Sequence, residues 1–463
     1  MKRTAALFLV LFGVYAATLG FHAFAESDYA GDEPHYLLAA ESLKRDRNVD
    51  VNDEFTARAY SEFYPYTLDE HGVETDGRLN EPHGVGFPLF ILPAYIVGGA
   101  KGVELFLAAI AALAIALAYR LALRVVPDPW AIGAAAVVGL CPPFIAYGTA
   151  VYPELTAGAV FAGAALLALR LDERPRRREA ILCFALLGFL PWLGTKFVPA
   201  GIVIGFLAAR GLWRARRRTL AIGSIEIALF SAVFYVAINE ELYGGPTPYA
   251  ADHPDDSATD ADSAAGYVAR AYRLVAHYID RNGGLLRWAP VFLLAFAGLW
   301  WLWRMHRDHL SRAVADVRQV ELTGGLCAAV LGAHWVTASF LAPTMFGFSF
   351  PPRHLLAALP MAIPLIALGL RHMPRIGITL SALTLVGSVW LYADVGFFGG
   401  SFVTDRPDAP FGPLTSLWPV FQTRDNWPFT VAGVIAGLVF LLCWCEYRHS
   451  RQMAGATRAK YSG

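Results

Sequence analysis

Two adjacent carboxylates, Asp32 and Glu33, follow the first membrane-length apolar run of the chain by only a few residues. Carboxylates in that position stay ionised in water, yet they lie close enough to lipid to reach a substrate whose reactive end sits at headgroup depth. A positioned carboxylate can accept a proton from an incoming hydroxyl group, which typically contributes about 10²–10⁴ in rate. The pair is therefore predicted to perform chemistry on a lipid-linked molecule.

Cations further along the chain would complement these acids. Lys196 and Arg353, with His354 beside it, are predicted to lie on the same membrane face as Asp32. They would stabilise the charge that builds on a departing phosphate. Arginine suits this role geometrically, because its planar fork can bind two phosphate oxygens. Further substrate-site candidates in the outer segments are His83, Tyr36 and Glu154.

Each of these residues also has a purely structural interpretation. Asp32 precedes Glu-Pro, a common pattern at a helix N-cap. Lys196 could be a snorkelling anchor at a helix end. His83 could be a turn residue, and Glu154 a first-turn acid of a helix. Arg353 is different, because a cation at a helix start opposes the helix dipole, which favours a role other than helix stabilisation.

The sequence contains no His-Glu-x-x-His zinc motif, phosphate-binding glycine loop or dinucleotide fingerprint. Glu33, His35, Glu81 and His83 could share a divalent cation, but their spacing is generic. We therefore predict no metal site and no certain cofactor, and a divalent cation stays an open alternative. The five cysteines lie in apolar segments without metal-ligand spacing and predict no disulfide framework; they are Cys141, Cys183, Cys327, Cys443 and Cys445.

Composition places the chain in a membrane. Hydrophobic residues make up 56% of it and charged residues only 16%, which is typical of an integral membrane protein. Apolar runs recur from Thr4 to Cys445, so residues 1–463 are predicted to form a single polytopic domain. The run Thr4–Phe24 has roughly the 20 residues needed to span, and we expect a transmembrane helix there rather than a cleaved signal peptide. A formal net charge of zero argues against a nucleic-acid-binding surface.

Basic clusters set the expected topology, because cytoplasmic loops carry an excess of Lys and Arg. The loops between these clusters, and the active site with them, are then extracytoplasmic, and both termini are cytoplasmic. The clusters span Arg174–Arg178, Arg214–Arg218, Arg304–Arg312, Arg371–Arg375 and Arg448–Lys460.

Because basic clusters must all lie on the cytoplasmic side, the number of membrane crossings between them constrains two ambiguous segments. Gly84–Gly98 is short and contains two prolines, so we interpret it as interfacial or re-entrant on the outer face. Ile181–Ala209 is expected to split into two short helices hinged near Lys196. The fold class is then all-α, a bundle of about twelve transmembrane helices. Their predicted starts lie near residues 4, 103, 129, 153, 180, 196, 219, 285, 320, 354, 374 and 428.

Two outer loops are large. Residues 26–84 form the first, which carries the acidic pair and is expected to contain short amphipathic or juxtamembrane helices. Residues 239–284 form the second. Its segment Tyr267–Arg281 has aromatic and aliphatic spacing that suits a helix lying on the membrane.

Four segments together resemble the GT-C superfamily of membrane glycosyltransferases, which includes protein O-mannosyltransferases and aminoarabinose transferases acting on lipid A. The resemblance extends from Asp32 to His354 and rests on the order and sidedness of the motifs. They are the Gly-Asp-Glu-Pro-His-Tyr run Gly31–Tyr36, the segment Pro82–Leu89, the Asn-Gly-Gly run Asn282–Pro290, and Pro352–Leu356 with its Arg-His pair.

The resemblance implies an inverting enzyme that uses a sugar linked to a polyprenyl phosphate or pyrophosphate. It makes Asp32 the base, Glu33 its acidic neighbour, and Lys196 and Arg353 contacts of the donor phosphate. The acceptor would be a glycan, a lipid or a protein, and the enzyme would also contact membrane lipid. Two other functions remain open: a flippase or transporter of lipid-linked sugars, and a polysaccharide polymerase or ligase.

Overall fold

The computed structural model describes residues 2–75, 77–248, 263–307, 315–342, 344–345, 347–403 and 418–421. Helices dominate this part of the chain, as predicted. They are α1 Lys2–Ala16, α2 Glu33–Arg45, α3 Asn52–Thr56, α4 Gly86–Ala122, α5 Trp130–Gly139, α6 Pro142–Tyr147, α7 Glu154–Glu173, α8 Arg177–Leu193, α9 Val198–Arg214, α10 Arg218–Tyr243, α11 Ala264–Ala269, α12 Arg273–Ile279, α13 Leu285–Trp288, α14 Leu293–Arg307, α15 Ala315–Leu341, α16 Leu359–His372 and α17 Pro374–Phe397.

Seven described helices are long and apolar enough to cross a membrane. They are α4, α7, α10, α15 and α17, with α9 and α16 counted together with the 3₁₀ turns that precede them. The predicted spans near residues 4, 129, 180 and 285 correspond to the shorter helices α1, α5, α8 and α14. The predicted helix near residue 428 lies outside the described residues. The chain is thus a multi-pass membrane protein. The predicted count of about twelve membrane helices agrees with this architecture.

Burial distinguishes the centre of the bundle from its lipid-facing surface. Helices α7 and α16 are buried along most of their length. Helices α10 and α17 instead expose large apolar side chains, such as Phe230 at 74% and Val389 at 70%. An apolar surface of this kind is stable in contact with lipid tails and unfavourable in water.

A break divides α4 into two limbs at Gly98 and Gly99. Gly99 has a φ of +58°, a conformation that glycine adopts without steric cost. The rings of Phe90 and Phe106 lie 5.1 Å apart, although a straight helix would separate them by about 24 Å at 1.5 Å per residue. The first limb therefore folds back against the second, in keeping with the re-entrant interpretation of residues 84–98.

A second glycine produces the predicted hinge near Lys196. Gly194 has a φ of +150° and ends α8, and the 3₁₀ turn Thr195–Phe197 follows before α9 begins. One straight helix through α8 and α9 would need ordinary helical backbone angles at Gly194, and the observed φ of Gly194 excludes it. The hinge instead places Lys196 at the turn between two helices, and this prediction is confirmed.

Charged residues gather at opposite ends of α7. At its carboxyl end, Asp172 lies 3.6 Å from Arg214 and 3.7 Å from Arg318, and Glu173 pairs with Arg124. At its amino end stands Glu154. A helix of 20 residues is about 30 Å long, so the basic clusters at one end of the bundle are a membrane thickness away from Glu154.

The second large loop differs in part from expectation. Helix α10 continues to Tyr243, beyond the expected loop start at Asn239, and the Asp-rich stretch 252–262 lies outside the described residues. The helix expected over Tyr267–Arg281 is two short helices, α11 and α12. Arg273 Nη1 donates a hydrogen bond to the Ala342 carbonyl at 2.7 Å. The segment therefore packs against the residues that follow α15. It also exposes apolar side chains such as Val268.

Candidate active site

The acidic pair is presented by a tight turn before α2. Gly31 has a φ of +57°, and a Cβ at this position would lie 2.7 Å from the carbonyl oxygen of Phe348. Asp32 occupies the N-cap position of α2, as the structural interpretation of the sequence proposed. Its side chain, however, makes no capping hydrogen bond. The carboxylate of Asp32 is consequently directed at a partner elsewhere in the fold.

The two acids of the pair have different partners. Glu33 is only 2% exposed, and its carboxylate accepts hydrogen bonds from the backbone N–H groups of Ala30 at 2.8 Å and Val151 at 2.7 Å. Burial raises the pKa of Glu33 to about 8. This side chain joins the start of α2 to the segment that leads into α7. It therefore fixes the position of its neighbour Asp32 relative to Glu154.

Arg353 connects the remaining charged residues. Its Nη2 donates to Asp32 Oδ2 at 2.6 Å, and its Nε donates to Glu154 Oε1 at 3.0 Å. Lys196 Nζ donates to the same Glu154 oxygen at 2.8 Å. The Glu154 side chain is 1% exposed, whereas those of Asp32 and Lys196 are 29% and 35% exposed. A buried acid thus holds two cations, of which Lys196 is the more accessible and Arg353 is 14% exposed.

Three helix starts bring these residues together. Glu154 is the first residue of α7, where a negative charge is favourable for the helix dipole. Lys196 lies in the turn created by Gly194. Arg353 begins the 3₁₀ turn Arg353–Ala358 that leads into α16. A cation at a helix start is unfavourable in isolation, and here two carboxylates compensate for it.

Tyr152 is a site residue that the sequence interpretation did not include. The Arg353 guanidinium carbon lies 4.0 Å from the centroid of the Tyr152 ring, a cation–π contact. The Tyr152 hydroxyl donates to the Ala30 carbonyl oxygen at 2.6 Å. The sequence feature that could have identified Tyr152 is its position directly before Pro153 and the candidate Glu154. Together these contacts hold the guanidinium plane in one orientation.

The electrostatics favour an ionised Asp32. Desolvation is the largest single effect and would raise its pKa, but the charges of Arg353 and Lys196 and the hydrogen bond from Arg353 act together to hold the pKa of Asp32 below its ordinary value. Two carboxylates and two cations then balance within the cluster. Within the described part of the chain, Nη1 of Arg353 makes no hydrogen bond. The site can therefore offer this nitrogen and the outer face of Lys196 to an anion.

The other predicted site residues lie beside this cluster. The ring of His83 is 5.3 Å from that of Tyr36, and Tyr36 packs edge-on against Phe87 at 4.9 Å. His354 follows Arg353, but its ring lies near His277, with centroids 6.4 Å apart. His354 Nδ1 has no hydrogen-bond partner among the described residues. Of the sequence candidates, the structure therefore joins Asp32, Glu154, Lys196 and Arg353 directly, and places His83, Tyr36 and His354 around them.

Two of the three comparisons with known proteins gave no match: no protein-family model matches the chain, and no curated protein matches its sequence. Among solved structures, the chain is similar to ArnT from Cupriavidus metallidurans in the apo state. The TM-score is 0.50 at 16% identity, over 81% of this chain and 61% of that one. It is also similar to ArnT from Cupriavidus metallidurans bound to undecaprenyl phosphate, with a TM-score of 0.50 at 16% identity, over 89% of this chain and 67% of that one.

The chain thus spans about two thirds of the length of these ArnT structures. The chain shares the overall fold of these ArnT structures, so the predicted fold is confirmed. This protein has a GT-C-type fold.

Proposed function

We propose that this protein is an inverting glycosyltransferase that moves one sugar from a polyprenyl-phosphate donor to an acceptor at the outer face of a membrane. The observation that carries the proposal is the position of Arg353. It is bonded to Asp32 and Glu154 and shares Glu154 with Lys196, within a GT-C-type fold. A proton acceptor and two phosphate-binding cations thereby form one cluster at one end of the bundle.

In the proposed reaction, Asp32 takes the proton from an acceptor hydroxyl as that oxygen attacks the anomeric carbon. A bond forms between the acceptor oxygen and the anomeric carbon, and the bond from that carbon to the phosphate oxygen breaks. The configuration at this carbon inverts, and the polyprenyl phosphate leaves with the bonding electron pair. Arg353 and Lys196 stabilise the negative charge that develops on this leaving group.

The donor phosphate has a binding mode that leaves Glu154 in place. Arg353 Nη1 and the outer face of Lys196 can both donate to phosphate oxygens while Glu154 keeps its bonds to the two cations. The phosphate then competes with Asp32 for the charge of Arg353. As Arg353 turns towards the phosphate, Asp32 becomes a stronger base, since a cation that depressed its pKa is now shared. Donor binding would in this way activate the base.

Glu33 has a supporting role in this proposal. Its carboxylate is committed to the backbone of Ala30 and Val151 and does not extend into the cluster. We assign it as a positioning residue that holds Asp32 at the correct distance from Glu154. His83 and Tyr36 would line the sugar or acceptor side of the site, and His354 the donor side.

The charge distribution along the bundle supports an active site on the outer face of the membrane. Arg214, Arg318 and Arg124 gather at the end of α7 opposite to Glu154. Under the positive-inside rule this end is cytoplasmic, so the cluster around Arg353 is extracytoplasmic. We propose a cell-membrane location with the active site on the outer face and both termini inside. The acceptor is then a glycan, lipid or protein of the cell envelope.

A flippase for lipid-linked sugars is the first competing function. It would require ionisable side chains lining a path near the middle of the membrane. Glu226 is exposed on α10, away from the buried centre. His334 is 1% exposed and stacks on Phe197, next to Lys196, so it belongs to the surroundings of the same cluster. Neither residue favours a transport path over catalysis.

A polysaccharide polymerase or ligase is the second competing function. It differs from the proposed glycosyltransferase in the donor that it uses. We would reconstitute the full chain in lipid nanodiscs with a polyprenyl-phosphate sugar pool extracted from its host. Release of polyprenyl phosphate, with gain of one sugar mass on an acceptor, would support the proposal. Consumption of lipid-linked oligosaccharide without use of a single-sugar donor would overturn it. In cells, deletion should cause a polyprenyl-phosphate sugar to accumulate, detected by mass spectrometry of the lipid fraction.

A further inference from the structure

Three potential metal ligands from the first outer loop meet beside Tyr36. His35 lies in the first turns of α2, and Glu81 and His83 lie in the turn that follows the short antiparallel hairpin Val73–Thr75 and Arg78–Asn80. One ligand atom from each of the three residues lies within 4.8 Å of the other two. His35 Nδ1 is 2.9 Å from Glu81 Oε1.

The cluster is buried and its polar atoms are incompletely satisfied. His35 and Glu81 are 3% and 4% exposed. Glu81 Oε2 and both ring nitrogens of His83 are buried and have no hydrogen-bond partner among the described residues. A buried polar atom without a partner costs about 1–3 kcal/mol. The Glu81 carboxylate and one ring nitrogen of His83 are both of metal-ligating type, so an ion bound between them would supply a partner that the described residues do not.

Glu33 is not part of this group, although the sequence offered it as a fourth member. Both of its carboxylate oxygens accept backbone hydrogen bonds, from Ala30 and Val151. The structure therefore reduces four generically spaced candidates to three that converge. It also brings together His35 and Glu81, which are 46 residues apart in the chain.

We propose that His35, Glu81 and His83 bind a divalent transition-metal ion, with Zn²⁺ the best fit. Two imidazoles and one carboxylate are a typical zinc donor set, whereas Mg²⁺ and Ca²⁺ prefer oxygen ligands. Ligands around tetrahedral zinc lie about 3.4 Å apart, so side-chain movements of about 1 Å would complete the coordination. The fourth position is open to water or to His71, whose ring centroid is 5.2 Å from that of His35.

The ion would cross-link the catalytic end of α2 to the turn that carries His83. The same turn is already held to the end of α10, because Asn80 Nδ2 donates to the Leu242 carbonyl at 2.7 Å and Tyr243 donates to the Glu81 carbonyl at 2.9 Å. Asp32 precedes His35 by less than one helical turn. A metal at this place would therefore fix the first outer loop around Asp32 and add positive charge on that side of the site.

Metal content tests the proposal without any assay of sugar transfer, so its failure and that of the proposed function are distinguishable. The full chain would be purified in detergent with a peptide tag free of histidine, and metals would be measured by mass spectrometry. We expect close to stoichiometric zinc. After removal of the metal with a chelator, added Co²⁺ should give the intense visible absorption bands of a tetrahedral site, and Zn²⁺ should displace them.

Variants locate the ion. His83→Ala and Glu81→Gln should lose most of the bound metal, whereas the control His22→Ala should retain it, since His22 is a half-exposed residue paired with Asp28 at 3.0 Å. Background metal in the unaltered protein together with no Co²⁺ bands would overturn the proposal, and this holds even if a ligand variant fails to fold. Equal loss in His22→Ala would overturn it as well.

Discussion

Arg353 Nη2 lies 2.6 Å from Asp32 Oδ2, although the two residues are 321 positions apart in the chain. The contact joins the first outer loop to the turn before α16. It also determines the resting state of the proposed base, because Arg353 holds the pKa of Asp32 low and keeps it ionised at neutral pH. In the proposed reaction a donor phosphate must share this cation before Asp32 accepts a proton efficiently.

Replacement of the base is the first prediction. Asp32→Asn preserves shape but removes the proton acceptor, so the rate of sugar transfer should fall by about 10²–10⁴. Expression should change little, and donor binding should not weaken, because Asp32 no longer competes with the phosphate for the charge of Arg353. Single-turnover transfer in nanodiscs measures the first effect, and donor titration the second. Asp69→Asn, at an exposed position, serves as the control. Unchanged turnover in Asp32→Asn would remove Asp32 from the mechanism.

The second prediction concerns the guanidinium group of Arg353, which is proposed to bind the donor phosphate. Arg353→Lys keeps the charge but loses the planar fork that bonds Asp32, Glu154 and a phosphate together. Transfer should fall by roughly 10²–10³, and the apparent KM for the donor should rise more than that for the acceptor. The matched control is Arg318→Lys, in a half-exposed ion pair 3.7 Å long at the other end of the bundle. A larger effect on the acceptor would reassign Arg353.

The third prediction concerns Glu154 as a buried anchor. Glu154→Ala leaves Lys196 and Arg353 without their shared acceptor. Breaking a buried pair in this way typically costs about 3–5 kcal/mol, which should appear as a marked fall in thermal unfolding temperature in detergent. Glu179→Ala, which removes a looser 3.9 Å contact with Arg170, should have little effect. If both variants unfold at the same temperature as the unaltered protein, the cluster does not stabilise the fold.

The fourth prediction separates Glu33 from Asp32. Glu33→Ala leaves two buried backbone N–H groups without an acceptor, at about 1–3 kcal/mol each. Glu33→Gln keeps one carbonyl oxygen and should recover part of this stability and of the activity. The thermal unfolding temperature and the transfer rate should therefore both decrease from the unaltered protein to Glu33→Gln and then to Glu33→Ala. A variant Glu33→Gln as inactive as Asp32→Asn, yet fully stable, would show that Glu33 takes part in the chemistry.

Sidedness is the fifth prediction. Glu62 is exposed in the first outer loop, and Arg176 is exposed between α7 and α8. In whole cells, a membrane-impermeant maleimide should label Glu62→Cys directly and Arg176→Cys only after permeabilisation. Cys141, Cys183 and Cys327 are buried and should give little background. The opposite labelling pattern would invert the topology and move the site to the cytoplasmic face.

Much of the helical architecture could be read from the sequence alone. A membrane helix must be apolar over roughly 20 residues, and prolines, glycines and charges mark its ends. The predicted helix starts near residues 153, 196 and 374 accordingly lie within two residues of the observed Glu154, Val198 and Pro374. The hinge near Lys196 was predictable for the same reason, because two arginine-flanked ends cannot both be cytoplasmic if a single helix joins them.

The partners of the charged residues were decided by the tertiary structure. Periodicity and hydropathy describe one segment at a time and do not indicate which helix starts will adjoin. For this reason Glu154 reads as a first-turn acid in the sequence, and only its burial between Lys196 and Arg353 shows that it binds both. Adjacent Asp32 and Glu33 look alike in the sequence for the same reason. Packing alone directs one carboxylate to Arg353 and the other to the backbone of Ala30 and Val151.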